Sequence, residues 1–198
     1  MVVMKGEAFL LAALIISVSL VAMFQPVRRE YLIKQKEILE GEYFEKIFEN
    51  ILNEMKNSIY FSFNDFDKMI LNAFDFANFS EEKIRSKAMS FGSLIILTKA
   101  NSSGYLNVTV INFLKDNLIL NLTFNDTQNS ILNLSLYGIN STNFTFLPGN
   151  SYNLTISYDI NRTFTIETSN KDVFTSYIDL IITFGSYSKR EISIFSMY

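Results

Sequence analysis

The chain has no cysteine and no histidine, and only 2 prolines and 7 glycines occur among its 198 residues. Without cysteine the chain forms no disulfide, so its fold depends on the hydrophobic core alone. Thiolate and imidazole ligands for a metal ion are missing as well. The absence of imidazole also excludes catalysis by a histidine base near neutral pH. These absences exclude disulfide scaffolds, zinc sites of the cysteine and histidine type, and histidine-dependent enzymes.

Charge is scarce and balanced. The chain has 17 basic and 20 acidic residues, which gives a formal net charge of −3. No basic patch or strongly acidic tail stands out, so we expect no nucleic-acid partner. Hydrophobic residues make up 48% of the sequence, which is enough for one domain with a real core in addition to one long helix.

The longest apolar run lies near the N-terminus, directly after Gly6 and Glu7. It extends from Ala8 to Phe24, contains no charged residue, and has only Ser17 and Ser19 as polar residues. Seventeen helical residues span roughly 25 Å, which is at the short end of what crosses a bilayer core of about 30 Å. The run is therefore long enough to lie in a membrane.

The leader Lys5-Gly6-Glu7 and the apolar run together resemble the N-terminus of archaeal type IV pilins and pilin-like secreted proteins, whose leaders are called class III signal peptides. The resemblance implies a prepilin peptidase as a partner that cuts between Gly6 and Glu7. Residues 1–6 would be the leader peptide, and Glu7 would become the new N-terminus. The hydrophobic helix would stay on the protein, lie in the membrane before assembly, and then drive self-assembly into a filament.

Two other interpretations of the run remain open. A signal peptidase could remove it at Ser17-Val18-Ser19, or it could remain as an uncleaved membrane anchor. Arg28 and Arg29 follow the run while only Lys5 precedes it, and the positive-inside rule alone would place the N-terminus outside. The glycosylation motifs described below favour the opposite orientation, with the C-terminal domain outside.

Two helical regions are expected before the strands begin. Residues 7–60 are predicted to form a hydrophobic stem helix with a bend near Pro26, because proline removes a backbone donor. Residues 61–91 are predicted to be a helical connector. Its first helix would be capped by Asn64 or Asp65, and a second helix would begin at Ser80. We expect Gly92 to end the helical part.

From residue 92 to residue 198 the spacing of apolar residues changes from about 3.6 to 2. Leu118, Leu120 and Leu122 alternate with polar residues, for example. The same alternation recurs around residues 106–110, 132–136, 144–146, 152–158, 164–166, 178–184 and 192–194. With turn residues between them, about eight or nine strands are expected to form an antiparallel β-sandwich with immunoglobulin-like topology. The predicted fold class is thus α+β: a long N-terminal hydrophobic stem helix, short helices, and the sandwich.

Asn-x-Ser/Thr sequons, the acceptor motif of N-glycosylation, are the strongest chemical signal. Ten occur among 20 asparagines, whereas about three are expected by chance from the serine and threonine content. None precedes residue 78, and in several strands the asparagine alternates with apolar residues, which places it on the solvent side. A polar strand face can create such motifs by itself, but asparagine is disfavoured in strands. The predicted glycosylation sites are Asn78, Asn101, Asn107, Asn121, Asn125, Asn133, Asn140, Asn143, Asn153 and Asn161.

Signals for catalysis are poor. Asp65, Asp67 and Asp75 lack the glycine-turn spacing of a calcium loop, and no phosphate loop or nucleophile elbow is present. We therefore expect no enzyme activity, no catalytic residue, no metal and no cofactor. The sequence predicts a glycosylated structural subunit, a pilin or minor pilin, of an archaeal type IV pilus-like filament at the cell surface. The alternative is a monomeric, membrane-anchored adhesion glycoprotein whose C-terminal domain lies outside the cell.

Overall fold

A computed structural model describes the backbone of residues 3–169 and 171–197, with the side chains of residues 17, 19, 25, 29–36, 38–169 and 171–197. Within these described residues, two helices precede nine strands. The helices are α1 (Val3–Tyr60) and α2 (Phe66–Arg85). The strands are β1 (Ser90–Ala100), β2 (Tyr105–Asn112), β3 (Leu118–Phe124), β4 (Gln128–Leu134), β5 (Gly138–Thr145), β6 (Ser151–Ser157), β7 (Asn161–Glu167), β8 (Val173–Phe184) and β9 (Tyr187–Met197).

The chain divides into two compact units, Met1–Lys46 and Ile47–Tyr198. The described part of the first unit is helical, and α1 continues through Pro26 without a break. The predicted membrane run from Ala8 to Phe24 lies outside the described side chains, apart from Ser17 and Ser19. Within the part of the chain that the structure describes, no helix has the length and apolar character needed to span a membrane.

The second unit contains a β-sandwich, as the alternating pattern predicted. One sheet has five strands in the order β5-β2-β1-β8-β9, and the other has four in the order β4-β3-β6-β7. All pairings are antiparallel. The core between the sheets includes Leu94 and Val108 from the first sheet and Leu120 and Leu154 from the second, all fully buried. Burial of this apolar surface is the main stabilising contribution to the unit.

Helices cover the other face of the five-stranded sheet. Phe48, Leu52, Met55 and Ile59 in the C-terminal part of α1 are buried. The Ser93 hydroxyl on β1 lies 3.9 Å from the sulfur of Met55. Helix α2 contributes two ring contacts to the same sheet side: Phe66 with Phe174, and Phe74 with Phe113. Strands β1 and β8 are therefore enclosed on both faces, whereas the outward-pointing residues of β3 and β6 in the four-stranded sheet are exposed or half-buried.

The expected second helix start at Ser80 is wrong, because α2 runs unbroken from Phe66 to Arg85. Ser80 continues the buried stripe of α2 and fills a core position that a small residue fits. Of the two predicted capping residues, Asn64 and Asp65, the structure confirms Asp65. Its carboxylate accepts the backbone N–H of Lys68 at 3.2 Å. This hydrogen bond lowers the pKa of Asp65.

The expected helix end at Gly92 is also wrong, because Gly92 lies inside β1. A Cβ at this position would come within 2.9 Å of the Ile181 side chain, so the glycine allows two strands and a loop residue to pack closely. Strand β1 gave no alternating pattern because residues on both of its faces are buried.

The strand order corrects the expectation of immunoglobulin-like topology. In an immunoglobulin constant-type domain the first and last strands belong to opposite sheets. Here β1 and β9 belong to the same sheet, separated only by β8. Alternation of apolar residues identifies strands and their buried faces, but it carries no information about which strands pair across long sequence distances.

Candidate glycan-acceptor surface

The outer face of the four-stranded sheet is polar and almost free of charge. We call the outward-pointing residues of β3, β4, β6 and β7 the acceptor face. Its positions are Ile119, Asn121, Thr123, Asn129, Ile131, Asn133, Ser151, Asn153, Thr155, Ser157, Asn161, Thr163, Thr165 and Glu167. Glu167 is the one ionisable residue among these positions. Solvent-facing strands are usually kept soluble by charged side chains, so this surface needs another means of solubility.

Four sequon asparagines lie on the acceptor face. Asn121 on β3 is opposite Ile131 on one side and Ser157 on the other. Asn133 is opposite Ile119, and Asn153 is opposite Thr165. Asn161 begins β7 opposite Ser157. The strand period brings the hydroxyl residue at position +2 to the same face as its asparagine, which presents both parts of the motif to solvent.

The solvent-facing orientation predicted from the strand period is confirmed for Asn121, Asn133, Asn143 and Asn153, whereas Asn125 lies in a turn and Asn107 is half-buried. Asn121, Asn133 and Asn153 lie beside buried leucines in their strands but are themselves exposed. Eight acceptors are exposed: Asn78, Asn121, Asn125, Asn133, Asn140, Asn143, Asn153 and Asn161. Asn101 and Asn107 are half-buried. None of the ten sequon asparagines is buried.

The remaining acceptors lie at different places in the unit. Asn78 lies on α2, and Asn125 lies in the turn between β3 and β4. Asn101 caps the turn before β2, where its Oδ1 accepts the backbone N–H groups of Ser103 at 3.1 Å and Tyr105 at 2.9 Å. Asn107 faces outward on β2, in register with Lys99 and Asn143. The sequons therefore surround the unit, but they are densest around the four-stranded sheet.

Asn140 and Asn133 join the edges of the two sheets. The Asn140 side chain donates to the carbonyl of Asn133 at 3.4 Å, and the backbone N–H of Ser141 donates to the Asn140 Oδ1 at 2.8 Å. Two predicted acceptors from different sheets are thus neighbours. Sequence reasoning found both residues but not their proximity, because β4 and β5 belong to different sheets.

Sequence reasoning missed a polar cluster made by Tyr158, Tyr177, Asp179 and Arg190, in which Tyr177 and Asp179 are fully buried. Asp179 is fully buried on β8, and Arg190 Nε donates to its Oδ1 at 2.9 Å. The Tyr158 hydroxyl also donates to Asp179 and lies 3.0 Å from the Tyr177 hydroxyl. A single aspartate within the apolar segment 178–182 was the available signal.

Burial controls the electrostatics of this cluster. It raises the pKa of both Tyr158 and Tyr177, and for Tyr158 the hydrogen bond to Asp179 adds to the effect. The bond to Asp179 also raises the pKa of Arg190. At neutral pH the cluster therefore contains two neutral phenols and one ion pair. Its residues link the β6–β7 turn to β8 and β9, which indicates a structural role.

The predicted processing site, Gly6 and Glu7, lies within α1, but its side chains are outside those described. Among the described residues, no group of three or more aspartate, glutamate, histidine or cysteine side chains is arranged to hold a metal ion. Comparison of the chain with models of known protein families, with characterised proteins and with solved structures gives no match.

Proposed function

We propose that this chain is an N-glycosylated structural subunit of an archaeal type IV pilus-like surface filament. The N-terminal helix would hold the subunit in the membrane before assembly and pack against other copies afterwards. A prepilin peptidase would cut after Gly6. The β-sandwich would face outward, with sugars on the sequon asparagines.

The observation that carries the proposal is the separation of the acceptors from the stem. Ten sequons lie between residues 78 and 161, and none lies in α1. Asparagine itself is available earlier in the chain, at Asn50, Asn53, Asn57, Asn64 and Asn72. Eight acceptors are exposed on the second unit. Because the glycosylation machinery for such motifs acts on the outer side of a membrane, this distribution supports an exported domain behind an N-terminal helix.

A second observation favours a filament over a lone anchor. Within the first unit, Tyr31, Leu32, Ile38 and Leu39 on α1 are 61%, 54%, 61% and 66% exposed. Positions seven residues apart lie on nearly the same side of a helix, so these four residues form one stripe, which we call the stem stripe. Large apolar side chains grouped in this way mark an interaction surface. A parallel helix of a second copy would cover it.

The mechanism would be packing rather than chemistry. Apolar area buried between stems contributes about 25 cal/mol per Å², and each added subunit repeats the same contact. Sugars on the acceptor face would supply the hydration that this nearly uncharged surface lacks. They would also keep exposed sheet edges of neighbouring subunits apart.

The experiment is to shear cells that produce the protein and examine the released material by electron microscopy. We expect filaments that contain the chain. The matched variant is Ala13→Leu, which keeps the run apolar and preserves membrane insertion but crowds a close helix bundle. It should remain in the membrane fraction and give fewer filaments. If wild type and variant are both retained in the membrane and filaments never appear, the chain is instead a monomeric membrane-anchored glycoprotein.

A further inference from the structure

A pocket of about 370 Å³ opens at the end of the sandwich where β3 ends and β5 and β6 approach each other. Its volume falls at the lower end of the range for small-molecule sites. The rings of Phe124, Phe146 and Tyr152 line it, together with the side chains of Asn125 and Gln128. Among the described residues that line it, none carries a carboxylate or an ammonium group, so the pocket suits a neutral ligand.

The three rings form a connected aromatic wall. Phe124 is fully buried, and its ring centroid lies 5.3 Å from Tyr152 and 6.5 Å from Phe146. Phe146 and Tyr152 are 5.6 Å apart and half-buried, so parts of both rings face the pocket. The electron-rich faces of such rings attract C–H groups that carry a partial positive charge.

Hydrogen bonds hold the polar rim in place. The Gln128 side chain donates to the Thr145 carbonyl at 2.7 Å and accepts the Thr145 N–H at 3.0 Å. The Tyr152 hydroxyl donates to the Leu147 carbonyl at 2.9 Å and accepts the Leu147 N–H at 3.0 Å. A carboxamide has two N–H donors and two oxygen lone pairs, so Gln128 retains one of each for a ligand.

Asn125 is both a predicted glycan acceptor and one of the residues that line the pocket. It heads the sequon Asn125-Asp126-Thr127 and also lines the pocket. Its φ of 49° is a left-handed turn conformation that asparagine tolerates, and its backbone N–H donates to the Asn153 carbonyl at 2.8 Å. The turn is thus anchored to β6, and the Asn125 side chain is exposed at the rim.

We propose that the first sugar of a glycan on Asn125 lies in this pocket, with its C–H face against Phe146 and Tyr152 and its hydroxyls near the Gln128 amide. This inference rests on the glycosylation that the proposed function includes. In the modification, Asn125 Nδ2 bonds to the anomeric carbon of a sugar carried on a phosphorylated lipid. The lipid phosphate leaves with the electron pair of the broken bond, and Nδ2 gives one proton to a base of the transferase.

The covalent link explains why a small, open pocket suffices. A free monosaccharide has few atoms with which to offset the entropy lost on binding. A sugar tethered at the rim has a high effective concentration at the rings, so weak contacts hold it. The neutral lining, the exposed acceptor at the rim and the free half of the Gln128 amide all fit this occupant.

Thr127→Ala and Thr127→Ser test the proposal in protein isolated from the producing cells. The alanine variant destroys the acceptor motif but leaves Asn125 and the pocket intact, and the serine variant keeps the motif. We expect the Tm of the alanine variant to lie about 2–4 °C below that of wild type, and the Tm of the serine variant to equal that of wild type. When both variants are made without glycosylation they should have the same Tm, because the sugar is then absent from each.

Glycopeptide mass spectrometry and proton NMR complete the test. We expect sugar at Asn125, with its ring protons shifted upfield by the aromatic rings relative to the sugar at Asn121. Phe146→Leu should remove that shift while the glycan stays attached. An unmodified Asn125 beside modified sequons elsewhere would overturn this inference alone, as would equal proton shifts at Asn125 and Asn121. Sugar at none of the ten sequons would contradict the proposed function itself.

Discussion

Arg190 on β9 holds the fully buried carboxylate of Asp179 on β8 in a two-pronged contact. Its Nε lies 2.9 Å from Oδ1 and 3.2 Å from Oδ2, and a terminal nitrogen also donates to Oδ2. Asp179 lies on the inner surface of the sandwich. A buried carboxylate without a paired cation would be strongly destabilising, so the contact with Arg190 is important for the stability of the fold. The guanidinium side chain is only 32% exposed, so the pair is shielded from solvent on most sides.

Arg190→Ala is expected to lower the free energy of unfolding by about 3 kcal/mol, because it leaves Asp179 buried without its cation. The matched control is Lys115→Ala. Lys115 pairs with Asp159 at 2.6 Å, next to Tyr158 in the chain, but the two side chains are 42% and 50% exposed, whereas Asp179 is fully buried. Removing an exposed pair costs less than about 1 kcal/mol. Denaturant unfolding measures both changes, and equal losses for the two variants would show that burial of Asp179 does not matter.

Alkaline pH should destabilise the sandwich through Tyr158 and Tyr177. Their pKa values are raised in the folded state, so above about pH 10 the unfolded chain releases phenol protons that the folded chain retains. Stability is then fully present below about pH 10 and falls as the pH rises further. Tyr158→Phe should flatten this alkaline decline although it lowers stability at neutral pH. An unchanged alkaline slope in the variant would refute the assignment.

The acceptor face should aggregate when it carries no sugar. Ile119 and Ile131 are 64% and 66% exposed and lie diagonally across β3 and β4. We expect unglycosylated protein to self-associate in sedimentation experiments. Replacing both isoleucines by lysine should restore monomers, since charge on a solvent-facing strand opposes sheet association. Leu71→Lys on α2 provides the control, because Leu71 is 58% exposed but lies outside this face. Equal rescue by the control would locate the association elsewhere.

The stem stripe should be needed for assembly but not for export. Leu39→Lys places a charge among Tyr31, Leu32 and Ile38 and removes a leucine whose burial is worth about 1.5–3 kcal/mol. The yield of sheared filaments should fall at least about tenfold, while the total amount of protein in the cells stays the same. Lys34→Ala removes only an exposed contact with Glu30 at 3.3 Å and should assemble as wild type. Normal assembly of Leu39→Lys would exclude the stripe as an interface.

Sequence patterns predicted the strands that have one solvent-exposed face and one buried face. In β3, β4, β6 and β7 the alternation of buried and exposed residues also identified which asparagines face solvent, such as Asn121 and Asn153. Strand β1 was not predicted, because its sequence does not alternate. Both of its faces are buried, one against the second sheet and one against the helices, as shown by Leu94, Ile95, Ile96 and Leu97.

Long-range contacts could not be read from local periodicity. The rings that line the pocket belong to Phe124 on β3, Phe146 after β5 and Tyr152 on β6. These residues become neighbours only through the order of the strands in the two sheets. The same is true of Tyr158 and Asp179, which meet across the two sheets. Topology depends on pairings such as β1 with β8, about 80 residues apart, for which a single sequence carries no local signal.

Peptide mass spectrometry of the protein in sheared surface filaments tests the central claim most directly. The account predicts a mature N-terminus at Glu7, and sugar on exposed sequons between Asn78 and Asn161. An N-terminus at Met1 or beyond Ser19, or ten sequons without sugar, would contradict it.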